Sequence, residues 1–228
     1  MNGTSLNAIL AARADDPAIQ LLARTTAAMR TDARYLATED DAAAAVFLDA
    51  ESPSDLASDA LDRVLARIEA AGALDRRAAD RAAHGDPILA EIAALPSPVR
   101  EAALEALAHD RWRFGSPGLR RLPLDMGGTH CELMRIEPGH GAAEHDHDGD
   151  ELTLILTGAY SDGHAHYEPG DVSVAGRGFT HEPKASPGEI CYVLAVTYGP
   201  ARFKGLIGVL QRLIGFPWTP KPASRGAR

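Results

Sequence analysis

Between Gly139 and Gly158 the chain reads GHGAAEHDHDGDELTLILTG, and within it His145, His147 and Glu151 have the types and spacing of metal ligands. Two histidines two residues apart on an extended strand point to the same face, so both imidazoles can reach one ion. Asp148-Gly149-Asp150 has the composition of a turn, and Glu151 then opens ELTLILT, a β-branched and apolar run suited to a buried strand. A hairpin of that shape lets the carboxylate swing back toward the imidazoles. Of nine histidines, seven (130, 140, 145, 147, 164, 166 and 181) lie between Thr129 and Glu182, a density that is itself a signal. His181, in GRGFTHEP, is the candidate for a third nitrogen ligand from a later strand. Three imidazoles and one carboxylate suit Zn, Fe, Mn, Ni or Cu and differ from the all-oxygen cages of Ca or Mg.

The other polar groups carry less. His164 and His166 fall in an expected hairpin with Asp162 and Gly163 and read as a solvent-facing pair. His140 and Glu144 flank the metal strand and are candidates for its mouth, while His130 opens a strand and reads as a hydrogen-bonded histidine. Glu151 could serve as a base if no metal held it. No catalytic residue is assigned.

The elements around this site change near residue 96. Before it, Ala-rich segments repeat apolar residues at helical spacing; after it, Gly, Pro and β-branched residues alternate at hairpin intervals. Asp16-Pro17, Asp86-Pro87 and Ser97-Pro98 each place a capping side chain before a proline, marking three helix starts. The clearest helix is expected over 54–71, where Leu61, Val64, Leu65 and Ile68 form one stripe, read as core, with Asp62, Arg63, Arg67 and Glu69 mostly outside it. Residues 27–50 read as further helix. Phe203, Leu206, Ile207, Leu210, Leu213 and Ile214 repeat at helical spacing, which predicts a helix over 201–215 on the barrel or at a subunit interface, followed by a loose tail.

Composition bounds the rest. The 228 residues are 45% hydrophobic and 24% charged, ordinary for a globular chain. Neither a membrane span nor a secretory leader is evident, so a cytoplasmic protein without membrane contact is expected. Cys131 and Cys191 are far apart and in no CxxC arrangement, and read as reduced, buried thiols on barrel strands. The net charge of −9 and the acidic residues strewn through the amino-terminal half argue against direct nucleic-acid binding and would favour a basic protein partner.

The spacing of Gly139, His145, His147, Glu151 and Gly158 resembles the first motif of the cupin superfamily; Gly163, Pro169, Gly170, Asp171 and His181 are similar to the second, with a different intervening length. The resemblance implies an α+β chain: an amino-terminal α-helical domain (1–97), an all-β cupin barrel (98–216; a double-stranded β-helix or jelly roll) and a loose tail (217–228). It also implies His145, His147, Glu151 and His181 as ligands of one transition metal. The stretches SDLASDALDRVLARIEA, DRWRFGSPGLRRLPL, HDHDGDELTLILTGAYSDGHAHYEPGDV and CYVLAVTYGPARFKGLIGVL are together similar to the ChrR-type anti-sigma factors. That family implies a helical domain that holds an extracytoplasmic-function sigma factor, and a cupin that binds a metal, usually zinc, and helps release the sigma factor under stress. Its helical domain carries a second zinc on an HxxxCxxC motif. Here no histidine precedes His84 and no cysteine precedes Cys131, so that site is absent.

Three readings are thus in play: a metal-sensing regulator of a sigma factor, a metal-dependent dioxygenase or isomerase, and a metal-stabilised binding barrel that associates with copies of itself.

Overall fold

The structure is a computed structural model that describes residues 6–30, 57–66, 68, 69, 72 and 87–205. Among the described residues, the helices ahead of the barrel are α1 (Leu6–Ala12), α2 (Pro17–Met29), α3 (Pro87–Ala93) and α4 (Ser97–His109), besides a helical run that starts at residue 60. Proline opens α2 with its φ pre-set for a helix, and the Asp16 carboxylate accepts from the Ala18 amide at 2.9 Å, the cap that the Asp-Pro pair predicts. Helix α3 begins at Pro87 as expected, although Asp86 lies outside the described residues. Ser97 is a correction. It occupies the first helical position behind Pro96 and hydrogen-bonds the Glu101 carboxylate one turn on, so its hydroxyl caps no backbone amide.

Among the described residues eleven strands follow: β1 (Arg113–Ser116), β2 (Leu119–Met126), β3 (Thr129–Ile136), β4 (His145–His147), β5 (Glu151–Thr157), β6 (Tyr160–Ser161), β7 (His166–Tyr167), β8 (Val172–Ala175), β9 (Lys184–Ala185), β10 (Cys191–Thr197) and β11 (Ala201–Phe203). An antiparallel sheet in the order β1-β2-β3-β10-β5-β8 makes one wall, and β7-β6-β9 and β11-β4 lie in two smaller sheets. Single bridges from Gly141 to Lys184 and from His145 to His181 tie these short strands together.

Strands β5 and β10 are buried on both faces because helices cover the outside of the large sheet. Leu122, Leu133, Leu154, Leu194 and Val196 share one core with Ile19, Leu22, Ile92, Val99 and Leu104 of the helices. Ile136, Ile155, Tyr160, Cys191 and Val193 form a second core inside the barrel. Both thiols are buried, as expected, but in different cores, Cys131 outside and Cys191 inside. Burial pushes the Cys191 thiol up to about 12, which suppresses its thiolate.

Two polar clusters join helices to barrel. The Asp16 carboxylate accepts from Tyr198 Oη (2.6 Å) and Thr129 Oγ1 (2.8 Å), and the Arg13 guanidinium stacks 3.8 Å above the Tyr198 ring. Glu91 on α3 accepts from Arg135 (2.7 and 3.1 Å) and from Tyr192 Oη (2.7 Å).

Two further expectations need correcting. Residues 60–66, 68 and 69 are helical, yet Leu61, Val64, Leu65 and Ile68 are 68, 53, 49 and 63% exposed, so the stripe read as core faces outward among the described residues. Helical spacing shows that a stripe exists, not what it meets. Phe203, read into a terminal helix, belongs to β11, because Arg202 and Lys204 on either side reach back to Asp146 of β4. Residues 206–215 of that expected helix, the tail, and residues 31–50 of the helix expected over 27–50 lie outside the described residues.

Candidate metal centre

Strand β4 presents His145 and His147 to the barrel interior, β5 begins with Glu151, and the bridge from His145 to His181 brings in the last imidazole. All four expected residues meet: their ligating atoms lie within 4.8 Å of one another, and all four side chains are buried. His181 Nε2 stands 3.1 Å from His145 Nε2 and 3.4 Å from His147 Nε2, and His147 Nε2 stands 3.1 Å from Glu151 Oε2. Glu151 Oε1 is 3.8 Å from His181 Nε2. A tetrahedral ion with bonds of about 2.0–2.1 Å separates its ligand atoms by about 3.3 Å, so these spacings suit one first-row cation.

The tautomers support the same use. His145 Nδ1 donates to the Ala143 carbonyl at 2.8 Å, and because a carbonyl only accepts, the Nε2 of the neutral ring keeps its lone pair toward the cluster. Burial pushes His145 down to about 4, so this imidazole is neutral at physiological pH. Burial lowers His181 as well, against the opposing charge of Glu151. For Glu151, burial would raise the carboxyl, but the His147 hydrogen bond and the fields of the three imidazoles hold it well below the usual range. His147 departs from its neighbours: burial works to lower it, but the Glu151 carboxylate beside it wins and holds the ring above its ordinary value, so a metal ion there competes with a proton, while His145 and His181 offer their lone pairs freely.

The supports are local. Thr153 Oγ1 and Thr197 Oγ1 each donate to Glu151 at 3.3 Å, fixing the carboxylate along its strand. Between the two ligands of β4, the Asp146 carboxylate points away and accepts from Lys204 (2.6 Å) and Arg202 (2.7 Å), and these bonds hold its carboxyl below the usual range. Phe203 stacks on His145 with centroids 5.2 Å apart. Gly149 belongs to the turn because any Cβ there would run into the Tyr198 carbonyl. Gly158 closes the motif at φ +70°, a conformation that side chains disfavour, with Ile190 O at 2.8 Å from where a Cβ would lie.

A ChrR Cupin-like domain matches residues 101–201. The anti-sigma-E factor ChrR of Cereibacter sphaeroides is 30% identical over 191 residues, covering 83% of this chain and 85% of that relative. The chain belongs to the ChrR family. The crystal structure of Rhodobacter sphaeroides SigE in complex with the anti-sigma ChrR matches with a TM-score of 0.57 and 28% identity, covering 87% of this chain and 99% of the matched one.

Within this ChrR-family barrel the remaining histidines divide. His164 and His166 are exposed as expected, and His164 Nε2 donates to the Thr180 carbonyl at 2.9 Å, bracing the residue before His181. His140 and Glu144 are exposed and do not line the barrel cavity, a correction to their expected place at its mouth. His130 has its partner, Glu132 at 3.2 Å, but both side chains, with Arg121, line the cavity beside the metal group. Sequence reasoning missed Arg121, Glu132, Thr153 and Thr197. The alternation of His130, Glu132 and Met134 against Cys131 and Leu133 puts those three on one face, but nothing in it points to the arginine on β2 or the two threonines. Among the described residues no helix is long and apolar enough to cross a membrane.

Proposed function

We propose that this protein is an anti-sigma factor whose barrel binds one metal ion, zinc first among the candidates, through His145, His147, Glu151 and His181. Its helical part restrains an extracytoplasmic-function sigma factor in the cytoplasm, and the barrel senses the stress that releases it. One observation carries the reading: the likeness to the ChrR chain of the SigE complex runs through 87% of this chain, helices included, and not through the barrel alone. The division into 1–97, 98–216 and 217–228 is part of the same reading. With His84 as its single histidine and no cysteine, 1–97 lacks the ligands for a second zinc and clamps by packing, and the outward stripe of Leu61, Val64, Leu65 and Ile68 is apolar surface of the kind a partner covers. The net charge of −9 favours a basic partner surface and binding that slows as salt rises.

Four protein ligands can close a tetrahedral zinc site, which fits a non-catalytic barrel, whereas iron, manganese or nickel would leave coordination positions for a substrate. The second reading, a metal-dependent dioxygenase or isomerase, is favoured by the cavity that opens on the metal group. The test is co-purification of the full chain with the extracytoplasmic-function sigma factors of its own cell, with elemental analysis of the same samples. We expect a stable complex and about one metal ion per chain, lost almost entirely in His147→Ala/Glu151→Ala. A chain that retains no sigma factor but turns over a small molecule only when metal-loaded would move the assignment to the enzyme.

A further inference from the structure

Inside the barrel lies a second charged cluster that the metal site does not use. His130 and Glu132 alternate inward on β3, and Arg121 stands on the neighbouring β2 opposite Met134. Arg121 Nη1 lies 3.2 Å from each oxygen of Glu132, and His130 Nε2 lies 3.2 Å from Glu132 Oε2. The Glu132 side chain is 2% exposed, against 14% for Arg121 and 21% for His130, so the carboxylate is at the bottom and the two bases are nearer the opening.

Folding alone does not call for such a cluster. Taking an ion pair out of water costs several kcal/mol per ion before the pair recovers it, and apolar side chains of similar volume are often as good or better. Leu119, Ile136 and Val193 of the same interior are that apolar solution. What distinguishes the charged positions is that they line a cavity of about 50 Å³ that also opens on His145, His147 and Glu151. At roughly 10–15 Å³ per water this is room for a few waters, or for the head of a small molecule. Thr197 joins the two ends: it pairs with His130 on one side and Glu151 on the other, and its hydroxyl donates to Glu151.

The charges choose the occupant. A divalent ion with three neutral imidazoles and one carboxylate leaves a net positive end. At the other end the Arg121 and Glu132 charges cancel, and the guanidinium and the His130 ring stand beside the opening as hydrogen-bonding groups. The walls between, Met134, Val193 and Ala195, are apolar and small. Such a chamber attracts one negative charge on a short apolar stem; a neutral alcohol gains nothing from the field and a cation is repelled.

We propose that this cavity binds a short-chain carboxylate, its carboxylate between the Arg121–His130 pair and the metal group and its stem along Met134 and Val193. The inference rests on the metal-bearing reading of the barrel and is independent of the sigma factor.

Sodium butyrate is the probe and 1-butanol its neutral control, titrated calorimetrically into the full chain, with metal content measured on the same samples. Wild type should bind butyrate and ignore butanol. Arg121→Met/Glu132→Leu removes both charges together, so no carboxylate is left buried alone; it should keep its metal and bind butyrate about tenfold more weakly or worse. Ala195→Val narrows the cavity without touching a charge and should weaken butyrate as well, which keeps the inference testable if the double variant does not fold. Wild type that holds metal yet gives no butyrate signal up to about 10 mM overturns the inference, as does a folded double variant that binds like wild type. A wild type without metal overturns the metal reading instead, and butyrate binding in that sample still reports on Arg121 and His130.

Discussion

Strand β10 carries two environments on its two faces. Tyr192, Leu194 and Val196 point outward into the core shared with the helices, whereas Val193, Ala195 and Thr197 point into the barrel. Both faces are buried, yet the outer residues are large and apolar and the inner ones shrink and turn polar toward the metal group. The outer face gains stability in proportion to the area it hides, about 1.5–3 kcal/mol for each fully buried leucine. The inner face gives up some of that gain to keep a cavity and to hold Glu151 by hydroxyls.

This contrast predicts opposite responses to a change of size. Leu194→Ala removes a fully buried side chain from the outer core and should cost about 2–5 kcal/mol in chemical denaturation, leaving metal content in the folded fraction unchanged. Ala195→Val, one residue later, adds volume to the inner face and should cost less, about 1–3 kcal/mol at most. Were Ala195→Val the more damaging change, or Leu194→Ala to empty the metal site without unfolding, the two faces would not be separate in the way their packing indicates.

The strength of the sequence signal followed the same division. The clustering of His145, His147 and Glu151 was legible because all three, with Gly158, lie within one hairpin at fixed spacing. His181 was reachable by type, as a histidine in a turn-rich segment, although its bridge to His145 spans 36 residues. Arg121 and Glu132 were not reachable: they meet only after β2 and β3 pair, and an arginine and a glutamate eleven residues apart are ordinary on any surface. Phe203 was misplaced because residues 203, 206, 207 and 210 satisfy a helical period, while the competing period of two, Arg202 and Lys204 reaching the same carboxylate, spans only three residues. The 61–68 stripe failed for a different reason, since amphipathicity fixes a face and leaves its partner open.

The seam between helices and barrel gives the smallest and most specific effect. Asp16 caps α2 and also accepts from Tyr198 and Thr129. Burial works to raise its carboxyl, but those hydrogen bonds win and the group is held below its ordinary value. A carboxyl depressed in the folded state contributes stability above its unfolded value of about 3.9, and that contribution is lost as pH falls through the folded value. Asp16→Asn keeps an acceptor for the Ala18 amide but puts an amide nitrogen where Oδ2 accepts from Tyr198 and Thr129, so it removes the charge and both of those bonds; at pH 7 it should be less stable by about 0.5–1 kcal/mol, a figure kept small because the site is largely solvated. Glu91 and Asp146, also depressed, titrate in the same acid window, so the informative quantity is the difference between wild type and variant. That difference should be constant from pH 7 to about 5 and shrink only as pH falls below the unfolded value of about 3.9 and through the lower folded one. A gap that does not shrink at all as pH falls below about 4 would mean that Asn acts through its altered contacts at Tyr198 and not through the lost charge, and one absent at pH 7 would mean that the Asp16 charge does not hold α2 to the barrel.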